Sequence, residues 1–146
     1  MAEGSDTSGH ELSRTLGLVR IVEMNPEGRA SIEYEAGLHM CHSGGVVQGG
    51  FVTGWIDAAM AHAIIAMAGE DVAPMSLELK VSFFAPARPG RVVAEGWIER
   101  RGKRTCFLEG HLKDASGKIL AKASSTLMLV ALDKVVAASR AALAPN

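Results

Sequence analysis

The sequence has few cysteines and little net charge, and each shortage excludes a class of protein. Two cysteines occur among 146 residues, Cys41 and Cys106. That is too few for a disulfide framework, so we expect free thiols and a cytoplasmic location. The 15 basic and 16 acidic side chains leave a net charge of −1. This balance predicts no nucleic-acid partner and no binding to an anionic membrane, because both need a strongly positive surface.

The sequence also lacks a long uninterrupted apolar run. Its most apolar stretch, residues 51–68, carries Asp57 and His62 in its middle. A carboxylate at the centre of a bilayer costs roughly 2.5–3.5 kcal/mol even on the lenient insertion scale. The first ten residues are small and polar, with no apolar region typical of a secretory signal. We therefore expect no membrane-spanning segment.

What the chain does have is an excess of small apolar residues. The nine types AVILMFWYC make up 48% of it although aromatic residues make up only 5%, and there are 16 glycines. A chain of this length is served by one hydrophobic core, and a domain of this size leaves much of its surface exposed. The excess therefore predicts one domain whose remaining apolar surface is covered by a second subunit or a ligand.

Periodicity predicts the order of the elements. Residues 16–24 and 29–35 alternate around an Asn-Pro-Glu-Gly turn and indicate a hairpin, and residues 51–68 indicate a helix that is apolar on every side. From Met75 onwards the period is two, which predicts four strands joined by short turns. In the first of these strands one buried face is predicted to hold Met75, Leu77, Leu79, Val81 and Phe83.

These elements predict an α+β domain. A helix that is apolar all round can be covered by a six-stranded antiparallel sheet only if the sheet curls around it. We expect a disordered polar tail at residues 1–15, the domain at residues 16–131, and a C-terminal helix and tail at residues 132–146, the helix ending near Leu143.

Several short motifs stand in an order that indicates a known family. They include the loop glycines Gly44-Gly45, the pair Gly49-Gly50 and, eight residues after Gly49, the acid Asp57. Residues 76–84 and the break at residues 86–90 follow, and then the Gly102 and Gly117 turns. Over about residues 16–130 the chain resembles the hotdog-fold acyl-CoA thioesterases of the PaaI-like group. The resemblance implies a hotdog fold, a curved six-stranded sheet wrapped around one long central helix.

The resemblance also implies an activity and an assembly. The activity is hydrolysis of an acyl-CoA thioester to free acid and CoA, with no metal and no cofactor other than the CoA of the substrate. The assembly is a homodimer or homotetramer in which paired subunits build each site from residues of both. In the family an acid at the position of Asp57 acts as nucleophile or general base, and we assign that role to Asp57.

The start of the long helix offers the second group that thioester hydrolysis needs. Backbone N–H groups near Gly49 and Gly50 lack intrahelical partners, carry the positive end of the helix dipole and could bind the carbonyl oxygen. The alternative is that these glycines only allow close packing of helix against sheet. The corresponding alternative for Asp57 is a carboxylate held in a structural hydrogen-bond network.

Three further residues are assigned by position in the family. Gln48 stands where the family often has His, and it cannot exchange a proton near neutral pH, so acid assistance to the thiolate is in question. His42 stands where an Asn or Gln often orients water or substrate; alternatively it is an exposed loop histidine. Ser76 matches a Ser or Thr that reaches the neighbouring subunit's site; alternatively it is a solvent-facing strand residue.

Substrate binding is assigned to glycines, a hydroxyl and basic residues. The arginines Arg88 and Arg104 could bind the phosphates of CoA, although the basic run around Arg104 is also typical of a solvated hairpin tip. The full set of predicted substrate-binding residues is Gly45, Gly50, Thr53, Arg88 and Arg104.

Two other functions remain as alternatives. One is a non-catalytic acyl-CoA-binding module, which the glutamine at position 48 would suit. The other is a hotdog enoyl-CoA hydratase using Asp57 and His62, although five helical residues leave these side chains roughly 140° apart around the axis.

Overall fold

The chain forms a curved antiparallel sheet around one long helix. A computed structural model describes residues 8–145. In this part of the chain the helices are α1 (Ser8–Thr15), α2 (Gly49–Ala68) and α3 (Leu132–Leu143), with one 3-10 turn at Leu38–Met40. The strands are β1 (Leu18–Asn25), β2 (Arg29–Ala36), β3 (Cys41–His42), β4 (Val46–Val47), β5 (Val72–Phe83), β6 (Gly90–Arg101), β7 (Thr105–Asp114) and β8 (Ile119–Ala131).

The six long strands make one sheet in the order β1-β2-β6-β7-β8-β5. Every neighbouring pair is antiparallel. The order leaves β1 and β5 as the two free edges. The short strands β3 and β4 pair separately, immediately before α2. The predicted hotdog fold, with α2 against the inner face of the sheet, is confirmed.

Glycines in the sheet allow α2 to lie very close to it. A Cβ on Gly96 of β6 would stand 2.6 Å from the backbone nitrogen of Met60, and one on Gly110 of β7 would stand 2.8 Å from Ile56 Cγ2. Small residues at these positions therefore set the distance between helix and sheet. The face of α2 that this contact buries consists of Val52, Trp55, Ile56, Ala59, Met60, Ala63 and Ile64.

The prediction that α2 is buried on every side is wrong for the single chain. Thr53, Asp57 and Ala61, on the other side of the helix, are only partly buried. α2 is also the one helix in the described residues whose length and mean hydropathy of 1.5 would suit a membrane span. Its buried face identifies it as the central helix of the fold.

The strand β5 departs from its predicted alternation. Its pairing with β8 shifts between Ser76 and Glu78, so Leu77 is the extra residue of a β-bulge. Ser76 pairs with the fully buried Leu127, whereas Met75 pairs with the exposed Met128. The bulge therefore turns Ser76 towards α2 and Met75 away from it. Met75, Leu77 and Phe83 are exposed by 43%, 59% and 55%, so the predicted single buried face does not exist in one chain.

The prediction of a disordered tail is wrong for residues 8–15, which form α1; residues 1–7 lie outside the described residues. The chain after α1 is fixed from the core, because the Trp55 indole donates a hydrogen bond to the carbonyl oxygen of Leu16 at 2.7 Å. Trp55 lies 39 residues further along the chain. The polar sequence around α1 therefore gives no indication that this segment is held by the core. The predicted C-terminal helix is confirmed at Leu132–Leu143.

Replacing Gly96 with Ala should destabilise the fold. The added Cβ would meet helix backbone rather than a flexible side chain, and overpacking of this kind costs about 1–3 kcal/mol. We expect a lower midpoint in chemical unfolding and a lower Tm. Gly9→Ala is the matched control, since a Cβ there meets nothing within 4 Å. Equal stability of the two variants would contradict this account of the helix–sheet contact.

Candidate active site

A cleft opens where α2 begins. It has a volume of about 400 Å³ and lies between the β3–β4 hairpin, the first turn of α2 and the segment that follows β5. Its walls are mostly apolar, which suits an acyl or pantetheine group better than a charged one. The lining residues are His42, Val46, Val47, Gly49, Val52, Phe83, Phe84, Ala85, Pro86 and Ala87.

Gln48 caps the first turn of α2. Its side-chain oxygen Oε1 accepts a hydrogen bond from the Gly50 N–H at 3.0 Å, and its backbone oxygen accepts one from the Phe51 N–H at 3.0 Å. Within residues 8–145 the Gly49 N–H has no such acceptor. The two predicted donors therefore differ: Gly49 has its N–H available at the cleft, whereas the N–H of Gly50 is already bound.

A side chain would be obstructed at both Gly49 and Gly50, but by different neighbours. A Cβ on Gly50 would stand 2.6 Å from Gln48 Oε1, so it would displace the cap. A Cβ on Gly49 would stand 3.2 Å from Cζ of the Phe83 ring. Phe83 thus forms the cleft wall beside Gly49, a role that the sequence interpretation missed because alternation placed this ring in the core. The pair Phe83-Phe84 ahead of the proline-containing break was the available signal.

Asp57 and Ser76 meet on the partly exposed side of α2. The Ser76 hydroxyl donates a hydrogen bond to Asp57 Oδ1 at 2.9 Å. Asp57 is partly buried and Ser76 is exposed. The carboxylate is therefore half-buried and hydrogen-bonded. The bulge at Leu77 turns the Ser76 side chain to the helix side of the strand, where it remains exposed in one chain.

Within one chain, Asp57 lies apart from the cleft. Eight residues at a rise of 1.5 Å separate it from Gly49 by about 12 Å along the helix axis, and it is absent from the cleft lining. A single thioester carbon cannot contact both groups at that separation. The structure therefore divides the predicted site into two halves, Gly49 with the cleft and Asp57 with Ser76.

The remaining predicted residues are distributed unevenly. His42 lines the cleft, is exposed, and has Nδ1 3.1 Å from the Ser43 carbonyl oxygen. Thr53 lies one helical turn before Asp57 on the same side of α2. Gly45 lies in the β3–β4 loop with φ +68° and does not line the cleft; its backbone conformation alone favours glycine.

The two predicted phosphate-binding arginines lie far apart. Arg88 follows the cleft segment, and its guanidinium donates to the Gly44 carbonyl oxygen at 3.4 Å. Arg104 precedes β7, whose first residue Thr105 pairs with Met128 opposite Met75. It therefore lies at the end of the sheet away from Phe83 and the cleft. One chain cannot bring both arginines to the same substrate phosphate.

Sequence comparison gives the family. The sequence pattern of the thioesterase superfamily matches residues 44–121, which is just over half of the chain and includes both halves of the site. The chain belongs to the thioesterase superfamily. A candidate esterase of Saccharolobus solfataricus is 30% identical over 105 residues, covering 72% of this chain and 74% of the relative.

Solved structures agree with this membership of the thioesterase superfamily. A phenylacetic acid degradation-related protein of Ralstonia eutropha JMP134, described as a candidate thioesterase, superposes with a TM-score of 0.75 at 30% identity, over 81% of this chain and 89% of that one. A hypothetical thioesterase of Streptococcus pneumoniae TIGR4, solved with coenzyme A, superposes with a TM-score of 0.75 at 14% identity, over 84% and 94%. The second likeness shows the fold alone. The predicted resemblance to PaaI-like thioesterases is confirmed.

The geometry also bears on two other kinds of chemistry, hydration by Asp57 and His62 and catalysis by a bound metal. For the hydratase alternative, His62 Nδ1 lies 2.7 Å from the Ala58 carbonyl oxygen of its own helix, so this nitrogen is engaged in a backbone contact away from Asp57. For metal chemistry, residues 8–145 contain no group of three His, Cys, Asp or Glu side chains arranged to hold an ion.

The capping role of Gln48 predicts opposite effects for two substitutions. Gln48→Ala removes the bond to the Gly50 N–H and should lower the free energy of unfolding by about 1 kcal/mol. Gln48→Glu keeps an acceptor and adds a negative charge at the helix N-terminus, so it should retain or raise stability. Thermal unfolding measures both. Equal destabilisation by Ala and Glu would show that the hydrogen bond accepted by the side chain at position 48 is not what stabilises the first turn.

Proposed function

We propose that this protein hydrolyses acyl-CoA thioesters in a site that two subunits share. The observation that carries the proposal is the hydrogen bond from Ser76 to Asp57, which orients a carboxylate on the open side of the helix whose first residue, Gly49, lines a cleft. Membership of the thioesterase superfamily supports thioester hydrolysis. The coenzyme A bound to the S. pneumoniae neighbour supports CoA as the carrier. We also propose a cytoplasmic location, where the protein would meet acyl-CoA esters.

In the proposed reaction the thioester carbonyl lies in the cleft with its oxygen at the Gly49 N–H. This donor carries the positive end of the α2 dipole, so it stabilises the negative charge that develops on that oxygen. His42 and the amide of Gln48 contact water or substrate at the same end. The apolar walls hold the acyl or pantetheine chain.

Asp57 supplies the base or the nucleophile. As a base it takes a proton from water while the water oxygen bonds to the carbonyl carbon, and the C–S bond then breaks to release the CoA thiolate. The proton held by Asp57 can pass to that thiolate. As a nucleophile its free oxygen would instead bond to the carbonyl carbon and displace the CoA thiolate as the C–S bond breaks, and water would then hydrolyse the acyl-enzyme anhydride. Ser76 occupies Oδ1 in either case, which leaves Oδ2 to react.

A second subunit would bring the two halves together. In a two-fold antiparallel pairing, the first part of β5 lies beside the last part of the partner's β5. The Asp57–Ser76 half of one chain would then approach the Gly49–Phe83 half of the other. β5 is a free edge with exposed apolar side chains, as such a pairing needs. We propose a homodimer of this kind, which could pair again into a homotetramer.

The non-catalytic alternative has one observation in its favour. Gln48 is engaged as a helix cap and cannot exchange a proton, so the leaving thiolate receives no acid from this position. A binding module would protect an acyl-CoA, whereas an enzyme would release free thiol. Thiol release from a panel of short, aromatic and long-chain acyl-CoAs separates the two functions.

Replacing Asp57 with Asn should abolish most of the activity without loss of structure. The Asn side chain keeps an oxygen that accepts from Ser76 but has no basic oxygen, so we expect kcat/KM to fall by about 10²–10⁴. Thiol release measures the rate, and Tm and elution volume report the assembly. Asp133→Asn is the matched control, since Asp133 is an exposed acid of α3 that accepts from the Lys134 N–H. Unchanged turnover in D57N would refute the role of Asp57.

Mixed dimers test whether the halves come from different subunits. Asp57→Asn damages one half and Gly49→Val the other, because the added side chain enters the cleft towards Phe83. A dimer containing one chain of each kind keeps one intact shared site, so random mixing at equal amounts should restore about a quarter of the wild-type activity.

The matching control combines D57N with Ser76→Ala. Both changes affect the same half of the site, so this mixture should show no activity beyond the average of its parents. Thermal unfolding of each parent confirms that it folds. If D57N and G49V also fail to complement although both fold and assemble, each site lies within a single chain.

A further inference from the structure

We propose that Ser125 is a positioning residue of the candidate site. From β8 it holds the β-bulge at Leu77, and through that bulge it directs the Ser76 hydroxyl to Asp57. This inference rests on the proposed function, because it identifies what orients the carboxylate of the proposed reaction. Ser125 acts through Ser76 and has no contact of its own with the reacting atoms. It is not among the site residues that the sequence predicts.

Ser125 is a polar residue in an apolar layer. It is exposed by only 5% and stands on β8 between Ala123 and Leu127, which point to the same side of the strand and are buried. A hydroxyl in such surroundings is tolerated when it has a hydrogen-bond partner. Its partner is main chain, because the Ser125 hydroxyl donates to the carbonyl oxygen of Glu78 at 2.7 Å. The buried serine is therefore bound to one carbonyl group of the neighbouring strand.

That carbonyl belongs to the residue directly after the bulge. Leu77 is the extra residue, and pairing with β8 resumes with Glu78 opposite Thr126. A bulge disrupts the backbone ladder locally. The hydrogen bond from Ser125 thus adds a contact between β8 and β5 at the point where the ladder between them is interrupted.

The place of β5 at the edge of the sheet makes this contact more important. Within one chain β5 pairs with β8 alone. In residues 8–145 two side-chain hydrogen bonds reach residues 76–78, the one from Ser125 to Glu78 and the one from Ser76 to Asp57. The first holds the bulge from the sheet, and the second depends on the orientation that the bulge creates.

Loss of the bulge would turn Ser76 away from Asp57. Successive side chains of a strand point to opposite faces, so without the extra residue Ser76 would point away from α2. The hydroxyl would then no longer donate to Oδ1 of Asp57. Hydrogen bonds to a charged acceptor are among the stronger ones, so the carboxylate would lose the contact that fixes its orientation.

The competing account is that Ser125 stabilises the fold and nothing more. Both accounts predict a lower Tm when the hydroxyl is removed, because the hydrogen bond to the Glu78 carbonyl is lost. They differ in whether the effect of Ser125 on the site depends on Ser76. A double-mutant cycle measures that dependence.

The experiment compares the wild type with Ser125→Ala, Ser76→Ala and the double variant. Thiol release gives kcat and KM separately. The second readout needs no turnover, because the carbon-13 resonance of a carboxylate responds to the hydrogen bonds that it accepts; the aspartate signal that is missing from D57N assigns Asp57. Ser31→Ala is the matched control, since Ser31 is exposed by 6% and lies on β2, with β6, β7 and β8 between it and β5.

We expect S125A to lower kcat by about three- to tenfold with little change in KM, because the carboxylate loses its orientation while the cleft is unchanged. The double variant should match S76A within about twofold, since Ser125 has no effect on Asp57 once residue 76 has no hydroxyl. The Asp57 resonance should move in the same direction in S125A as in S76A, and no further in the double variant. S31A should keep the wild-type kcat and resonance.

The outcomes separate positioning from stability. S125A that keeps both the kcat and the Asp57 resonance of the wild type would overturn the inference. Losses of kcat that multiply in the double variant would also overturn it, because Ser125 would then act independently of Ser76. If S125A is too unstable to assay, Ser125→Cys keeps nearly the same volume with a weakly donating S–H and is judged by the same outcomes.

Failure of the proposed reaction would be recognised separately. A wild-type protein that hydrolyses no thioester refutes the reaction by itself. The Asp57 resonance in S125A and S76A then still decides whether Ser125 directs Ser76 to the carboxylate.

Discussion

The close contact between α2 and the sheet is the constraint on which the rest of the structure depends. Gly96 and Gly110 place strand backbone against the helix at Met60 and Ile56, with no room for a Cβ. A helix held this closely cannot slide or rotate without forcing its backbone into the strands, because packed interiors resist small displacements. The Gly49 N–H and the Asp57 carboxylate therefore have fixed positions relative to β5.

The rigidity of the helix is the reason for proposing a site shared by two chains. It keeps the carboxylate about 12 Å from the first N–H, and no side-chain rotation closes that distance. In the proposed dimer the other half comes from the partner subunit, and β5 runs past both groups with its outer edge unpaired. An exposed apolar edge is a liability for a monomer. In the proposed dimer, pairing of the β5 edges would cover exposed apolar side chains and would also complete the site. The surplus of apolar residues and the division of the site would then both be explained by that pairing.

The sequence predicted the elements well, because each carries a local signal. Patterns among neighbouring residues indicate each of them: the β1–β2 turn, the apolar α2, the period of the later strands and the α3 helix. The misses depend on distant contacts: α1 is followed by a segment bound by Trp55, and the Leu77 bulge is a feature of the pairing of β5 with β8. The pairing of Asp57 with Ser76 depends on that bulge, so single-sequence periodicity placed Ser76 on the wrong face.

Gln48 shows how a change at one position can alter the chemistry without closing the site. A capping glutamine stabilises the first turn of α2 and leaves the Gly49 N–H available, but it cannot give a proton to the leaving group. A thiol with a pKa of about 8.5 leaves readily as a thiolate, so the proposed reaction tolerates this loss better than hydrolysis of an oxygen ester would. If Asp57 acts as the base, the proton that it removes from water can pass from the same carboxyl to the thiolate.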